Sequence, residues 1–133
     1  MKENLICVIL AGGKGSRLDG KGKFSQIIKN KTMLEQVYNR VSKQFSCVAV
    51  NVNDKKRIIN LNLRVIYDEF IDIGPLAGIH AALCFGNKKL GKNGYVCIVP
   101  VDTPFLPNNL GERLYENMIK NNSQVVFASS GNR

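Results

Sequence analysis

Residues 5–11, LICVILA, are apolar without a break and run straight into Gly12 and Gly13. A strand with no polar side is one buried on both faces. That is the pattern of a parallel sheet covered by helices, not of an antiparallel sheet with one wet face. The remaining elements alternate as such a fold requires. TMLEQVYNRVSKQF (32–45) reads as a helix, with Thr32 and Glu35 as a capping box and Leu34, Val37, Val41 and Phe45 as one apolar stripe. CVAVNV (47–52) is a second strand, DKKRIIN a short helix and RVIYD (64–68) a third strand. GPLAGIHAALCFG (74–86) is a helix rich in small residues, its start marked by Gly74 and Pro75. YVCIVPVD (95–102) is a fourth strand, PNNLGERLYENMIKN (107–121) a helix with Leu110, Leu114 and Met118 on one face, and QVVFASS (124–130) a fifth strand. This order predicts an α/β fold on a mostly parallel sheet.

A chain of 133 residues is one domain by size, long enough to bury a core. Its longest apolar runs are about half of the roughly 20 residues that span a bilayer, so no membrane segment is expected. The apolar N-terminus is read as the first strand rather than a targeting segment, because it leads directly into the glycine loop. A net charge of +9 favours anionic partners. The basic residues are scattered, however, with only NDKKR and NKKLGKN as small clusters, so no nucleic-acid stripe is expected. Cys7, Cys47, Cys84 and Cys97 lie in apolar runs without CxxC spacing and read as small core residues. The single histidine, His80, reads as a packed helix residue, and neither a zinc site nor a Cys/His dyad is expected.

The glycine loop, LAGGKGSRLDGKGK (10–23), is built for phosphate and almost fits two familiar patterns. GSRLDGKG supplies GxxxxGK but places Gly22 where a P-loop needs a magnesium-binding hydroxyl. Gly13 and Gly15 begin a dinucleotide fingerprint that ends on Leu18 instead of glycine. The pattern that fits is LAGGxGxR with a lysine six residues after the arginine, which resembles the nucleotidyltransferase signature. Its physical logic is direct. Gly12 and Gly13 let the backbone pass close under a base and ribose. Arg17, Lys23 and the loop amides surround a triphosphate. The attacking group is a phosphate oxygen of the second substrate and pyrophosphate leaves, so the protein aligns reactants, neutralises charge and holds a metal. Asn51, Asn53, Asp68 and Asp102 all fall at strand ends, where ligands of open α/β sheets sit. Asp102, at the end of a buried apolar strand, is the metal-ligand candidate, because a carboxylate there is expensive unless paired or metal-bound.

Together LAGGKGSRLDGKGK, VNVND, YDEFIDIGPLAGIHAAL and VPVDTPFLP resemble the molybdenum cofactor guanylyltransferase family over essentially the whole chain. The resemblance implies a Rossmann-like nucleotidyltransferase fold: three layers, α/β/α, as a single domain over 1–133. It implies transfer of GMP from Mg-GTP to molybdopterin, giving the guanine dinucleotide cofactor and pyrophosphate, in the cytoplasm. By the same likeness Leu10, Ala11, Gly12 and Gly13 hold the guanine nucleotide. Arg17 and Lys23 contact its phosphates, Asn51 and Asp68 help fix guanine and ribose, and Asp102 binds Mg2+. GTP and molybdopterin are the implied small-molecule partners, with molybdopterin-delivering or molybdoenzyme-maturation proteins as protein partners, and with neither nucleic acid nor membrane. Gly22 stands where the family usually has an acidic residue. Relatives also continue past the position of Arg133 with more strand and a final helix, so the C-terminal part of the domain is expected to be missing. Two alternatives stay open: another nucleotidyltransferase, cytidylyl or sugar-phosphate, and a non-catalytic nucleotide-binding module.

Overall fold

The computed structural model describes residues 2–12, 27–28, 31–53, 63–70 and 73–130. A 3-10 turn (Lys2–Asn4) leads into β1 (Leu5–Leu10). Two short strands, β2 (Ile27–Ile28) and β3 (Lys31–Thr32), form an antiparallel pair ahead of α1 (Met33–Val41). β4 (Val48–Val52), β5 (Arg64–Tyr67), α2 (Pro75–Leu90), a further 3-10 turn (Gly91–Asn93), β6 (Tyr95–Pro100) and α3 (Leu110–Lys120) complete the described elements. β5, β4, β1 and β6 lie side by side in that order in one sheet, and every neighbouring pair is parallel. All four strands of this sheet therefore end on the same edge.

The unbroken apolar run of β1 is explained by its place at the inside of the sheet. Leu5, Cys7 and Ile9 point to one face, into a core shared with Leu34, Val37, Val41 and Phe45 from α1 and its C-terminal turn, and with Leu110 of α3. Val8 points to the other face and meets Ala82 of α2, with Leu10, Ile66, Phe85 and Ile98 packed around it. α1 and α3 thus cover one face and α2 the other, which is the three-layer arrangement expected.

Local signals in the sequence set the helix limits. Thr32 Oγ1 accepts from the Glu35 amide at 3.1 Å while the Thr32 amide donates to Glu35 Oε2 at 3.0 Å, so the capping box forms as expected. α1 ends at Val41, short of the expected residue 45, yet Phe45 still packs in the core through a turn. Pro75 opens α2, and Gly74 ahead of it has φ +67°, a left-handed conformation that costs glycine little and other residues more. α3 begins at Leu110 rather than 107. Its Gly111 amide donates to Gln44 Oε1 at 3.1 Å, so the turn after α1 caps a helix that lacks a side-chain cap of its own.

One expected strand is absent. Residues 124–130 have no strand pairing in the described structure, and Val125 and Phe127 are 65% and 86% exposed. The apolar composition of QVVF marks strand propensity, but a strand forms only where a neighbour completes its hydrogen bonds. The expected short helix DKKRIIN lies outside the described residues.

The cysteines divide into two classes. Cys7 and Cys97 are buried partners across β1 and β6, while Cys47 and Cys84 are partly accessible, and all four are free. The hydrogen bond from Cys7 to the Cys97 sulfur, and then burial, push the Cys7 thiol well above the ordinary 9.0 and keep it protonated. In the folded protein a thiol reagent is expected to label Cys47 and Cys84 first, with Cys7 and Cys97 reacting only on unfolding. Mass spectrometry of partly labelled protein checks this; early modification of Cys7 would contradict it.

Candidate functional site

The register brings the candidate residues to one place. Leu10 pairs with Asn51 on one side and Pro100 on the other, and Val52 pairs with Tyr67. Leu10–Gly12, Asn51, Asp68 and the residues after Pro100 therefore all sit at the carboxyl edge of the sheet. The ladder extends slightly past the strands, since Ala11 N donates to Asn51 O at 2.8 Å and Val101 N to Leu10 O at 3.1 Å. The chain visits β4 and β5 on one side of β1 and then crosses to β6 on the other, so the crevice beside β1 is the switch point where such sheets bind ligands.

Asn51 is the centre of this edge. It is 1% exposed, the sole buried polar residue among those described. Its amide nitrogen donates to Asp68 Oδ1 at 2.7 Å, which satisfies a buried polar group and fixes a carboxylate at the mouth of the site. The backbone adds a second tie, Asp68 N to Val52 O at 3.3 Å. Two residues 17 positions apart, each read separately as a strand end, are thus one unit.

The glycine of GPLAG explains how α2 fits here. A Cβ on Gly78 would stand 2.7 Å from Asn51 Oδ1 and 3.2 Å from Leu10 Cδ2. Only a residue without a side chain lets the first turns of α2 close over the Asn51–Asp68 pair. Gly78→Ala is expected to cost about 1–3 kcal/mol by overpacking, measurable as a lowered urea midpoint. An unchanged midpoint would mean that α2 does not press on Asn51.

Gly12 packs against the protein's own chain. A Cβ there would lie 2.9 Å from the Asn53 backbone nitrogen, so the space it leaves is taken by the protein's own chain after β4. Gly12 thereby lets the first loop press against the end of β4.

Asp102 also calls for a correction. β6 ends at Pro100, Val101 is the buried residue, and Asp102 is exposed. Burial therefore gives no reason for it to need a metal. Its candidacy rests on position, beside the loop that leaves β1, in a turn where Thr103 Oγ1 donates to Pro100 O at 2.8 Å. An exposed carboxylate at the strand-end edge is a hard oxygen donor of the kind that holds Mg2+ together with substrate phosphates and water, so the donor chemistry fits. Gly13, Arg17 and Lys23 lie outside the described residues.

Sequence reasoning missed one cluster. Cys84 Sγ is 3.4 Å from His80 Nε2, and both lie within reach of Glu69. The signal was present as an i, i+4 His/Cys pair on one helix face. Neither CxxC spacing nor a second histidine marks it in the sequence.

The sequence profile of the MobA-like NTP transferase domain matches residues 7–133. A molybdenum cofactor guanylyltransferase of Pasteurella multocida is 34% identical over 128 residues, which is 95% of this chain and 65% of the relative. One from Histophilus somni is 34% identical over 135 residues, 100% of this chain and 67% of the relative. The crystal structure of molybdopterin-guanine dinucleotide biosynthesis protein A from Archaeoglobus fulgidus superposes with a TM-score of 0.66 at 25% identity, over 87% of this chain and 56% of that one. CMP:2-keto-3-deoxy-manno-octonic acid synthetase shares the fold, with a TM-score of 0.65 at 21% identity over 89% of this chain and 48% of that one. The chain spans about two thirds of the length of the curated relatives it matches.

Proposed function

The chain belongs to the MobA-like NTP transferase family, and from that premise we propose that it transfers GMP from Mg-GTP to molybdopterin. The observation that carries this reading is the convergence of Leu10–Gly12, the Asn51–Asp68 pair and Asp102 on one sheet edge at the switch point. The curated relatives at 34% identity are named for this activity. Residues 1–133 belong to a single nucleotidyltransferase domain whose C-terminal part they do not include.

In this reading a terminal phosphate oxygen of molybdopterin attacks the α-phosphorus of GTP. A new phosphoanhydride bond forms, the α–β bond breaks, and pyrophosphate leaves with the electron pair. The chain supplies no nucleophile. Leu10, Ala11, Gly12 and Gly13 form the floor under the guanine nucleotide, and Arg17 and Lys23 neutralise its phosphates. Asp68 accepts from the nucleoside, and Asn51, sealed beneath it, acts only by positioning that carboxylate. Asp102 would hold Mg2+, which supplies charge neutralisation on the phosphates when bound. No helix of the described structure is long and apolar enough to cross a membrane. A cytoplasmic location, and partner proteins that deliver molybdopterin or mature molybdoenzymes, belong to the same proposal.

Calorimetry with Mg-GTP, Mg-CTP and Mg-ATP tests the base assignment. GTP should bind at least about tenfold more tightly than the others, the scale on which a hydrogen-bonding site rejects a wrong partner. Preference for CTP or ATP would sink the guanylyl reading and leave the family intact.

A further inference from the structure

Glu69, His80 and Cys84 each offer one ligand atom, and these atoms lie within 4.8 Å of one another. Two of the three are fixed on α2, one turn apart, and the third follows directly on Asp68. Cys84 Sγ and His80 Nε2 are 3.4 Å apart. Two ligands on one tetrahedral zinc, with bonds of about 2.0–2.1 Å to nitrogen and 2.3 Å to sulfur, stand about 3.6 Å apart. The pair is therefore already spaced for a shared ion. The imidazole is held in place by Phe70, whose ring meets it edge-on with centroids 4.9 Å apart.

We propose that Glu69, His80 and Cys84 form a binding site for a borderline-soft divalent cation of the zinc class, with a fourth position taken by water. The donor set decides the class. Imidazole and thiolate suit zinc and its neighbours, whereas Mg2+ takes oxygen donors and keeps its waters. Binding converts the Cys84 thiol to thiolate and releases that proton to solvent. The exposed Glu69 closes the site with its carboxylate, which already lies within 4.8 Å of the other two ligand atoms. The ion would tie the chain after β5 to α2. That clamps Asp68 from outside while Gly78 of the same helix holds Asn51 from within. The site does not depend on the proposed guanylyl transfer.

The test uses the reduced, chelator-free chain, titrated with Zn2+ alone by calorimetry and with Co2+ alone by absorption. One equivalent of each should bind, the Co2+ form showing a thiolate charge-transfer band. Cys84→Ser should abolish that band, and Cys84→Ser and His80→Ala should each weaken Zn2+ by at least about tenfold. Cys47→Ser should change neither. Circular dichroism of each variant separates a lost ligand from a lost fold. The proposal is overturned if the wild-type chain takes up no stoichiometric Zn2+. It is equally overturned if a folded Cys84→Ser keeps both the band and the affinity.

Discussion

Asn51→Asp is expected to cost about 3–5 kcal/mol of stability at neutral pH, the scale of leaving a buried charge without a partner. The substitution changes the side chain's shape hardly at all. It replaces the amide that donates to Asp68 Oδ1 at 2.7 Å with an oxygen that can only repel that carboxylate while both are ionised. The position is 1% exposed, so the new carboxylate itself is cut off from water. Gly78 leaves no slack either, since the helix backbone closes on Asn51 Oδ1. The pH dependence has a definite sign. The new carboxyl is disfavoured as a charge, so its folded pKa rises above its unfolded value of about 3.9. Its penalty is absent below that value and grows as pH rises through the shifted one. Urea unfolding near pH 4 and pH 7 should therefore show a variant close to wild type in acid and far below it at neutrality. Equal stability at pH 7 would mean that Asn51 is not the donor in this pair.

Asp102→Asn should lower metal-dependent turnover by at least about a hundredfold, since a metal ion on a transferring phosphoryl group contributes several kcal/mol and each 1.36 kcal/mol is a factor of ten. The side chain is exposed, so the melting temperature should stay within a degree or two of wild type, as for most surface changes (about ±0.5 kcal/mol). That contrast separates it from Asn51→Asp, where stability falls first and activity follows. Titration of rate against Mg2+ concentration is the readout. If the variant turns over at the wild-type rate with the same Mg2+ dependence, Asp102 is not the metal ligand.

The fold was largely legible because its main signals are local. The unbroken LICVIL announced a doubly covered strand, and Thr32 with Glu35 announced the start of α1. Elements that depend on distant partners were less legible. QVVF has strand composition but finds no neighbour in the described structure. The site was legible as a set of strand ends and illegible as an arrangement. Nothing in the sequence says that Asn51 is sealed below Asp68, or that Gly78 and Gly12 make room for the protein's own atoms. Such roles come from elements brought together by folding. The exposure of Asp102 follows from β6 ending at Pro100, two residues before the apolar pattern suggested. His80 and Cys84 carried a helical spacing that any i, i+4 scan would find, but their third partner, Glu69, is visible only in three dimensions.

Guanylyl transfer stands or falls on pyrophosphate release. The protein should be incubated with Mg2+ and molybdopterin together with GTP, CTP or ATP in turn. Pyrophosphate is expected in step with guanine dinucleotide product, one for one, in the GTP reaction, with only background release when molybdopterin is left out. Equal release with CTP, or GTP-dependent release that ignores molybdopterin, would contradict it.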